Sequence, residues 1–315
     1  MRCVHVVVGV LRNERGELLV ARRAPDAHLG GHWEFPGGKV EAGETPLQGL
    51  ARELREELGV ELVRSRPIIR LHHRYPDRHI LLDAFSVDEF AGEPQGREGQ
   101  PLRWIFPTQL PHYDFPAANR ALTTALSLPA QYLVSGHFST PDELRERLCR
   151  ALDRGVRLVQ LRVPGLSAER YERLIEPVLS ACEQAGARLM LKGEPCLLDR
   201  YPACGLHLTS AQLTDPSVIS WAQQRKRIQW LAASCHNALE LEQAAALGAD
   251  FATLSPLAPT RSHPGQASLG WERAQALVDN AVMPVYLLGG MRSGDIERAV
   301  AAGAQGVAAI EDLWG

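Results

Sequence analysis

The stretch FPGGKVEAGETPLQGLARELREELGV, residues 35–60, crowds carboxylates onto one short piece of chain. Glu53, Glu56 and Glu57 are spaced three and four residues apart, and Glu44 precedes them. Like charges at these spacings repel each other and weaken a helix. Two explanations are open at this point: a solvated face paired with neighbouring arginines, or a site for a bound cation.

The same stretch carries the signals of a helix. Thr45 can cap the free amide groups at a helix start, and Pro46 fits the first helical position without losing a hydrogen bond. Gly59 favours the left-handed conformation that ends a helix. Leucines at spacings of three and four predict a buried face, and the glutamates predict a second face. The leucines are Leu47, Leu50, Leu54 and Leu58.

Length and composition indicate a globular protein of two domains. The chain has 315 residues and is 45% hydrophobic and 23% charged, and one domain typically spans about 100 to 200 residues. A net charge of -3 and a pI near 6.4 argue against a nucleic-acid polymer as partner.

Neither a membrane helix nor a signal peptide is evident, so we expect a cytoplasmic protein with no membrane partner. The six cysteines form no C-x-x-C pair, which favours reduced thiols.

The first part of the chain alternates short apolar strands with turns. A helix is predicted at 117–126, and a proline-containing stretch at 127–131 ends it. The pattern is typical of an α+β domain, and we place the domains at 1–128 and 129–315. The predicted strands are 4–11, 18–21, 68–73, 80–87 and 102–106.

The second part repeats strand and then helix, which predicts parallel βαβ units. Eight such strands favour a closed (β/α)8 barrel of the α/β class, although about 185 residues is short for one. The predicted strands are 132–135, 158–161, 189–192, 205–208, 230–234, 251–255, 285–288 and 306–310.

The order of residues around the glutamates resembles the Nudix box, G-x5-E-x7-R-E-U-x-E-E-x-G-U, in which U is aliphatic. Gly38, Glu44 and the run RELREELGV at 52–60 match every fixed position. The resemblance implies an α+β Nudix fold ahead of the barrel, and an enzyme that cleaves a nucleoside diphosphate linked to another group. It also implies Mg2+, or Mn2+ in its place, because such ions neutralise crowded carboxylates. The implied metal ligands are Glu53, Glu56, Glu57 and the carbonyl of Gly37.

Further catalytic roles follow from the same resemblance. Either Glu53 or Glu98 takes a proton from water, and the sequence leaves both candidates open. Arg52 is expected to orient Glu53. Lys39 is expected to contact a phosphate, unless it is an ordinary solvated loop lysine.

Segments beyond this motif resemble the MutT-type 8-oxo-dGTP diphosphatases. They are VGVLRNERGELLVARRAPDAHL at 8–29, WEFPGGK at 33–39, YPDRHI at 75–80, GEPQGREGQP at 92–101 and DFPAAN at 114–119. The resemblance implies hydrolysis of 8-oxo-dGTP to the monophosphate and pyrophosphate, which protects replication from an oxidised nucleotide. The residues that would hold the substrate are Arg23, His28, Phe35, Arg78 and Asn119.

Asn119 also has a physical rationale of its own. Guanine presents two acceptors, N7 and O6, whereas N7 of 8-oxoguanine carries a hydrogen. One carboxamide can donate to O6 and accept from N7, and normal guanine would leave this pair unmade at a cost of about 1 to 3 kcal/mol. A helix cap is the other explanation for Asn119. The alternative substrate for the Nudix chemistry is a thiamine-pathway diphosphate.

The barrel half resembles the family of thiamine-phosphate synthase and its relative TenI, the thiazole tautomerase. LVQLRVPG at 158–165, CGLHLTS at 204–210 and LAASCHNALELEQ at 231–243 carry the resemblance. It implies a thiazole phosphate or another thiamine-related ligand. A working synthase is not expected, because its metal carboxylates fall at positions without an acid. Those positions are Lys192, Gly193 and Gln212.

A tautomerase needs no metal, and His236 matches the acid-base histidine of TenI. A partly buried loop histidine is the alternative explanation. Gln160, Arg162, Gly289 and Gly290 are candidates for a ligand pocket, while Glu311 would repel a phosphate. The sequence therefore leaves the barrel as either a tautomerase or a noncatalytic ligand-binding module.

Overall fold

The computed structural model describes residues 3–25, 30–74, 79–116, 119–225, 229–259 and 267–314. The chain divides into two compact units, Met1–Ser127 and Leu128–Gly315. The boundary predicted from the sequence lies one residue later, between 128 and 129. Leu128 goes with the second unit because its buried side chain shares a cluster with Tyr132 and Leu158.

Two sheets form the first unit. Its strands, in the described part of the chain, are β1 (Cys3–Leu11), β2 (Leu18–Arg22), β3 (Trp33–Glu34), β4 (Gly37–Lys39), β5 (Glu61–Arg74), β6 (His79–Ala91) and β7 (Leu102–Ile105). The sheet orders are β4-β1-β6-β5 and β3-β2-β7. β1 is buried on both faces, because Val8 and Val10 enter one core cluster and Val7 and Leu11 enter another.

The helix predicted after Thr45 is α1 (Pro46–Leu58). The Thr45 side chain accepts a hydrogen bond from the backbone of Gln48, and the Thr45 backbone donates to the Gln48 side chain. This reciprocal pair is a capping box. Gly59 ends the helix at φ 70°, a left-handed value that glycine adopts without strain. The predicted start and end of the helix are confirmed.

Three of the four leucines of α1 anchor it. Leu50, Leu54 and Leu58 are fully buried in one cluster with Val7. Leu47 is 48% exposed, so the prediction that it shares the buried face is wrong. It lies in the first turn of the helix, and the cluster that receives the other leucines begins at the second turn.

The sequence missed β3 and β4, whose two and three residues are too short for an alternating pattern to show. The second helix, α2, spans Arg120–Ser127, where the sequence predicts 117–126. Residues 117 and 118 lie outside the described part of the chain.

The second unit is a closed barrel of parallel strands, as predicted. Among the described residues its strands are β8 (Gln131–Val134), β9 (Leu158–Leu161), β10 (Arg188–Leu191), β11 (Gly205–Leu208), β12 (Leu231–Cys235), β13 (Phe251–Leu254), β14 (Val285–Leu288) and β15 (Gly306–Ala309). β15 pairs with β8 and closes the ring. Each strand lies within one residue of its predicted bounds.

Helices follow the barrel strands. They are α3 (Pro141–Asp153), α4 (Ala168–Gln184), α5 (Leu197–Arg200), α6 (Pro216–Gln224), α7 (Ala238–Ala246), α8 (Gly270–Val278), α9 (Ile296–Ala301) and α10 (Glu311–Trp314). Of the helices described in either unit, none combines the length and the hydropathy needed to cross a bilayer.

Aromatic and aliphatic side chains fill the barrel interior near the strand starts. The ring centroids of Tyr132 and Phe251 lie 5.5 Å apart, and Tyr286 lies 5.5 Å from Tyr132. All three side chains are fully buried. Polar groups are therefore left to the carboxyl ends of the strands, where barrel enzymes place their sites.

Candidate functional site

β4 packs against α1 and brings Gly38 to the carboxylate of Glu53. A Cβ atom at Gly38 would lie 2.3 to 2.5 Å from the carboxylate atoms of Glu53. A side chain at this position would therefore occupy the space of that carboxylate. The first glycine of the motif is explained by this close approach.

Arg52 bonds to three glutamates. Its Nη1 donates to Glu53 Oε1 at 2.9 Å and to Glu56 Oε2 at 3.1 Å. Its Nε donates to Glu44 Oε1 at 2.9 Å, and its Nη2 donates to the carbonyl of Lys39 at 2.9 Å. The guanidinium offsets the repulsion between Glu53 and Glu56. Its bond to Glu53 is the contact that an orienting role would require.

Glu57 is the most perturbed acid of the helix. Burial raises its pKa to about 8, against a hydrogen bond from the N–H of Gly37 at 3.0 Å that lowers it. Repulsion from Glu53, Glu34 and Glu98 adds to the rise. The carboxyl group of Glu57 therefore lies in surroundings that lack positive charge.

Glu34, Glu53, Glu57 and Glu98 form one electrostatic group, which we call the acidic cluster. Burial raises the pKa of Glu53 while Arg52 opposes the rise, and burial raises the pKa of Glu34 while Arg23 opposes it. Glu98 raises all three neighbouring pKa values. The sequence missed Glu34, although it precedes Phe35 in the quoted segment WEFPGGK.

The acidic cluster fits a divalent cation by its chemistry. Within the described ranges, no three acidic, histidine or cysteine side chains stand together as a ligand set. Hard carboxylate oxygens are nevertheless the donors that Mg2+ and Mn2+ prefer, and the charged neighbours that shift the pKa of Glu57 are all carboxylates. Glu53, Glu56, Glu57 and the Gly37 carbonyl would hold such an ion.

Three of the candidate substrate-binding residues are described. Phe35 is 1% exposed and stacks on Phe115 with ring centroids 5.3 Å apart. Asn119 is 7% exposed, and its side chain has no hydrogen-bond partner among the described residues. The Asn119 side chain therefore forms no capping bond with a described residue of α2. Arg23 Nη1 donates to Glu34 Oε2 at 2.9 Å.

His28 and Arg78, also expected to bind substrate, lie outside the described residues. Lys39 is exposed at the end of β4, and Glu98 is exposed in the loop before β7. Glu98 lies close enough to Glu57 to raise its pKa. The backbone of Lys39 pairs with Val6 and accepts a hydrogen bond from Arg52.

The second unit holds a cavity of about 690 Å3 at the carboxyl ends of its strands. The predicted pocket residues Gln160, Arg162, Gly289 and Gly290 line it, and so do His236 and Glu311. Gly289 and Gly290 have φ values of 104° and 72°, and a Cβ atom at Gly289 would lie 2.9 Å from the backbone of Pro256. Turn geometry and close packing thus account for Gly289 without a ligand.

His236 follows β12 at the rim of this cavity. Its Nδ1 lies 2.8 Å from Glu240 Oε2, and its backbone N–H donates to the same oxygen. A carboxylate can only accept, so this contact requires a proton on Nδ1, and the lone pair of a neutral ring would then be on Nε2. The ring therefore has the tautomer that an acid-base role needs.

Five polar side chains form a hydrogen-bonded chain across the cavity floor. Gln160 Nε2 donates to the hydroxyl of Tyr132 at 3.1 Å, and that hydroxyl lies 2.8 Å from His207 Nδ1. His207 Nε2 lies 3.1 Å from Ser234 Oγ, to which Lys192 Nζ donates at 2.8 Å. Of these five residues, the sequence indicated only Gln160 as a ligand-binding residue.

The residues at the positions of the synthase metal ligands form other contacts. Gln212 Nε2 donates to the carbonyl of Gly193 at 3.1 Å and to Glu194 Oε1 at 3.4 Å. Lys192 contributes an amine where the synthase would need an acid. The expectation that this barrel lacks the synthase metal site remains a prediction.

Comparisons with known proteins match the two units separately. The NUDIX domain model matches residues 7–125, and the model described as thiamine monophosphate synthase matches residues 131–313. The 8-oxo-dGTP diphosphatase of Escherichia coli (strain K12) is 44% identical over 126 residues, which is 40% of this chain and 98% of that protein. The CTP pyrophosphohydrolase of the same strain is 36% identical over 125 residues, 40% of this chain and 92% of that protein.

The second unit has its own relatives. A protein of Aquifex aeolicus (strain VF5) named "Putative thiamine-phosphate synthase 2" is 30% identical over 185 residues, which is 59% of this chain and 97% of that protein. Both resemblances inferred from the motifs are confirmed. The chain is therefore an enzyme that belongs to the Nudix hydrolases through its first unit and to the thiamine monophosphate synthase family through its second.

Proposed function

We propose that the first unit hydrolyses 8-oxo-dGTP to 8-oxo-dGMP and pyrophosphate with Mg2+, or with Mn2+ in its place. The reaction would remove an oxidised nucleotide from the pool before a polymerase can insert it. The named activity of the 44% identical relative supports this substrate. The observation that carries the proposal is the buried Asn119 side chain, whose amide has no partner among the described residues.

The acidic cluster performs the chemistry in this proposal. A bound divalent ion would neutralise the substrate phosphates and favour attack by water. Glu53 or Glu98 takes the proton from that water, and Arg52 holds Glu53 in position through its 2.9 Å bond. Lys39 contacts a phosphate of the substrate. Arg23, which bonds to Glu34, also binds the substrate.

Asn119 provides the base selectivity. We expect Asn119→Ala to lower kcat/KM for 8-oxo-dGTP by about 5- to 150-fold, which is the kinetic equivalent of about 1 to 3 kcal/mol. The value for dGTP should stay within about twofold, because dGTP forms no paired bond with this amide. Steady-state kinetics of both nucleotides with Mg2+ measure the difference. Thr123→Ala is the matched control, because Thr123 lies one turn along α2 and bonds to its own helix.

The same assay compares the rival substrates. Purified protein should turn over 8-oxo-dGTP faster than dGTP, CTP and thiamine diphosphate. CTP is included because of the pyrophosphohydrolase relative, and thiamine diphosphate because of the second unit. An equal loss on all substrates in Asn119→Ala would show that Asn119 does not recognise the base, and a preference for CTP or thiamine diphosphate would replace the proposed substrate.

For the second unit we propose a site for a thiamine-related phosphate, with His236 as its acid-base group. The tautomer of His236 and its place on the cavity rim favour this role over a buried structural histidine. A noncatalytic ligand-binding module would use the same cavity without proton transfer at Nε2.

Thiazole phosphate should raise the midpoint of thermal unfolding of the full chain, because a ligand that binds only the folded state stabilises it. His236→Ala should raise the half-saturating concentration about tenfold, since one lost hydrogen bond costs about 1 to 1.5 kcal/mol. His112→Ala, an exposed histidine of the first unit, should leave the shift unchanged. An unchanged shift in His236→Ala as well would remove His236 from the ligand site.

A further inference from the structure

Lys192 stands directly after β10, at the carboxyl end of the third barrel strand. Its side chain points across the barrel interior, because Nζ donates to Ser234 Oγ at 2.8 Å and lies 3.4 Å from the carbonyl of Leu208. It lines the cavity of about 690 Å3. The amine is therefore placed at the floor of a cavity whose volume suits a small organic ligand.

Lysine is rare in this protein. The chain has only three lysines, Lys39, Lys192 and Lys226, among 34 lysine and arginine residues. Arginine thus supplies nearly all positive charge, including the surface pairs with glutamate. The two residues differ chemically, because an amine can lose its proton inside a protein and then act as a nucleophile, whereas a guanidinium stays charged. A lysine at this one interior position points to that property.

The surroundings of Lys192 favour the neutral amine. Burial and the positive charge of Arg162 lower its pKa to about 8, and Cys235 opposes the change. His207, on the neighbouring strand β11, is fully buried and has its own pKa lowered by burial and by Lys192. Desolvation and a second cation are the two means by which proteins activate a nucleophilic lysine.

The other charged groups that face the cavity do not restore a counter-ion to Lys192. His236 bonds to Glu240, and Asp312 accepts from both the backbone and the hydroxyl of Ser293. The remaining charged side chains on the wall are Arg162, Arg292 and Glu311. In the described part of the chain Lys192 forms no ion pair with a carboxylate, and its recorded partners are a hydroxyl and a carbonyl.

Two further groups on the cavity wall indicate a polar ligand. The hydroxyl of Thr253 is buried at 1% exposure and has no hydrogen-bond partner among the residues described. A buried hydroxyl without a partner is costly, so a bound molecule would satisfy it. The guanidinium of Arg162 also faces the cavity without an ion pair to a described carboxylate, which suits an anionic group on the ligand.

We propose that Lys192 forms a Schiff base with the carbonyl carbon of a small aldehyde or ketone that carries an anionic group and binds in the barrel cavity. The lone pair of the neutral amine attacks the carbonyl carbon, and the carbonyl electron pair moves to oxygen, which takes a proton. Water then leaves and the C=N bond forms, so that one amine and one carbonyl give one imine and one water. The imine nitrogen takes one proton from solvent to become the iminium.

Formation of this adduct would make the barrel reaction covalent, rather than metal-dependent or purely acid-base. An iminium withdraws electrons from the adjacent carbon, so a C–H or C–C bond at that carbon becomes easier to break. His236 lies on the same cavity wall. The reaction class is therefore proton or carbon transfer next to a carbonyl.

Reductive trapping tests the proposal on the full chain. Glyceraldehyde 3-phosphate is the probe, borohydride reduces any imine to a stable amine, and peptide mass spectrometry locates the adduct. At pH 7 we expect Lys192 to be trapped on the order of 100-fold faster than an ordinary lysine, because a pKa near 8 leaves far more free amine. The trapping rate should rise with pH to a plateau, with its midpoint near 8.

Four variants separate the proposal from nonspecific labelling. Lys192→Arg should abolish the adduct, Lys192→Met should do the same if arginine prevents folding, and Lys226→Arg should leave it unchanged. Arg162→Ala should raise the half-saturating concentration of glyceraldehyde 3-phosphate about tenfold and leave that of unphosphorylated glyceraldehyde unchanged. The thermal unfolding midpoint reports whether each variant is folded.

The outcomes divide clearly. A single adduct at residue 192 that disappears in Lys192→Arg supports the proposal. Equal labelling of Lys39, Lys192 and Lys226, a midpoint above pH 10, or an undiminished adduct yield in folded Lys192→Arg would overturn it. An equal effect of Arg162→Ala on both aldehydes would remove the anionic group from the proposal. None of these outcomes depends on whether the first unit prefers 8-oxo-dGTP.

Discussion

Replacement of Glu53 by glutamine should lower kcat for nucleotide hydrolysis by about 10³-fold, within the range of losses seen when a catalytic acid or base is removed. Glutamine keeps the size of the side chain and can still accept the bond from Arg52, so the change removes charge and basicity rather than packing. The side chain of Glu53 is only 15% exposed and is fixed by a 2.9 Å bond. Steady-state kinetics with 8-oxo-dGTP and Mg2+ measure the loss.

A matched control lies at the other end of the same segment. Glu61 forms an exposed pair with Arg55 at 2.6 Å, and solvent screening leaves such exposed pairs with little effect. Glu61→Gln should therefore keep kcat within about twofold. If Glu53→Gln retained a similar share of activity, the acidic cluster would not be the catalytic centre.

Glu98→Gln distinguishes the two candidates for the base. The variant that removes the base should lose the acid limb of the pH profile of kcat, while the other should keep that limb at a lower rate. Glu98 is exposed and Glu53 is largely buried. Burial raises the pKa of Glu53, and the variant that loses the acid limb identifies the carboxylate that acts.

The helix and the positions of its glutamates could be predicted from the sequence, because capping residues, proline and glycine determine helix ends within a few residues. Thr45, Pro46 and Gly59 function as these local rules require. The same rules could not predict Glu34, which joins the acidic cluster through β3, a strand of two residues. Nor could they show that Arg52 bonds Glu44 across eight positions, because that contact depends on how the preceding loop returns to the helix.

The barrel shows the same division between local and long-range information. Its strands were predicted within one residue, because each is a short apolar run bounded by turns and helices. The floor of its cavity was not, since Tyr132 and His207 are 75 residues apart and Lys192 and Ser234 are 42 apart. Comparison with the synthase motif marked Lys192 only as a missing acid. Its position beside Ser234 and Arg162 gives that residue a chemical role of its own.

Gly38→Ala should lower kcat about 10²-fold while leaving the fold intact. The new Cβ atom would lie within 2.3 to 2.5 Å of the Glu53 carboxylate, and a displacement of about 1 Å in a catalytic group can cost that much. Gly38 is not among the glycines with positive φ, so alanine meets no backbone strain. Kinetics and thermal unfolding of the purified variant measure the two effects separately.

Gly49→Ala is the control for adding a methyl group to this motif. Its Cβ atom would meet nothing closer than the end of the Glu44 side chain at 3.2 Å, and alanine favours a helix by about 1 kcal/mol over glycine. This variant should therefore unfold at a slightly higher temperature and keep kcat within about threefold. A loss as large as that of Gly38→Ala would indicate a general intolerance of the segment.

The double variant Gly38→Ala with Glu53→Gln decides how Gly38 acts. If alanine works only by moving the Glu53 carboxylate, it has nothing further to remove once that carboxylate is an amide. The double variant should then be no slower than Glu53→Gln alone, which is the non-additive result expected of residues that act as one unit. If the two losses multiply instead, Gly38 contributes to catalysis through its own backbone, and the close approach of β4 to α1 serves another purpose.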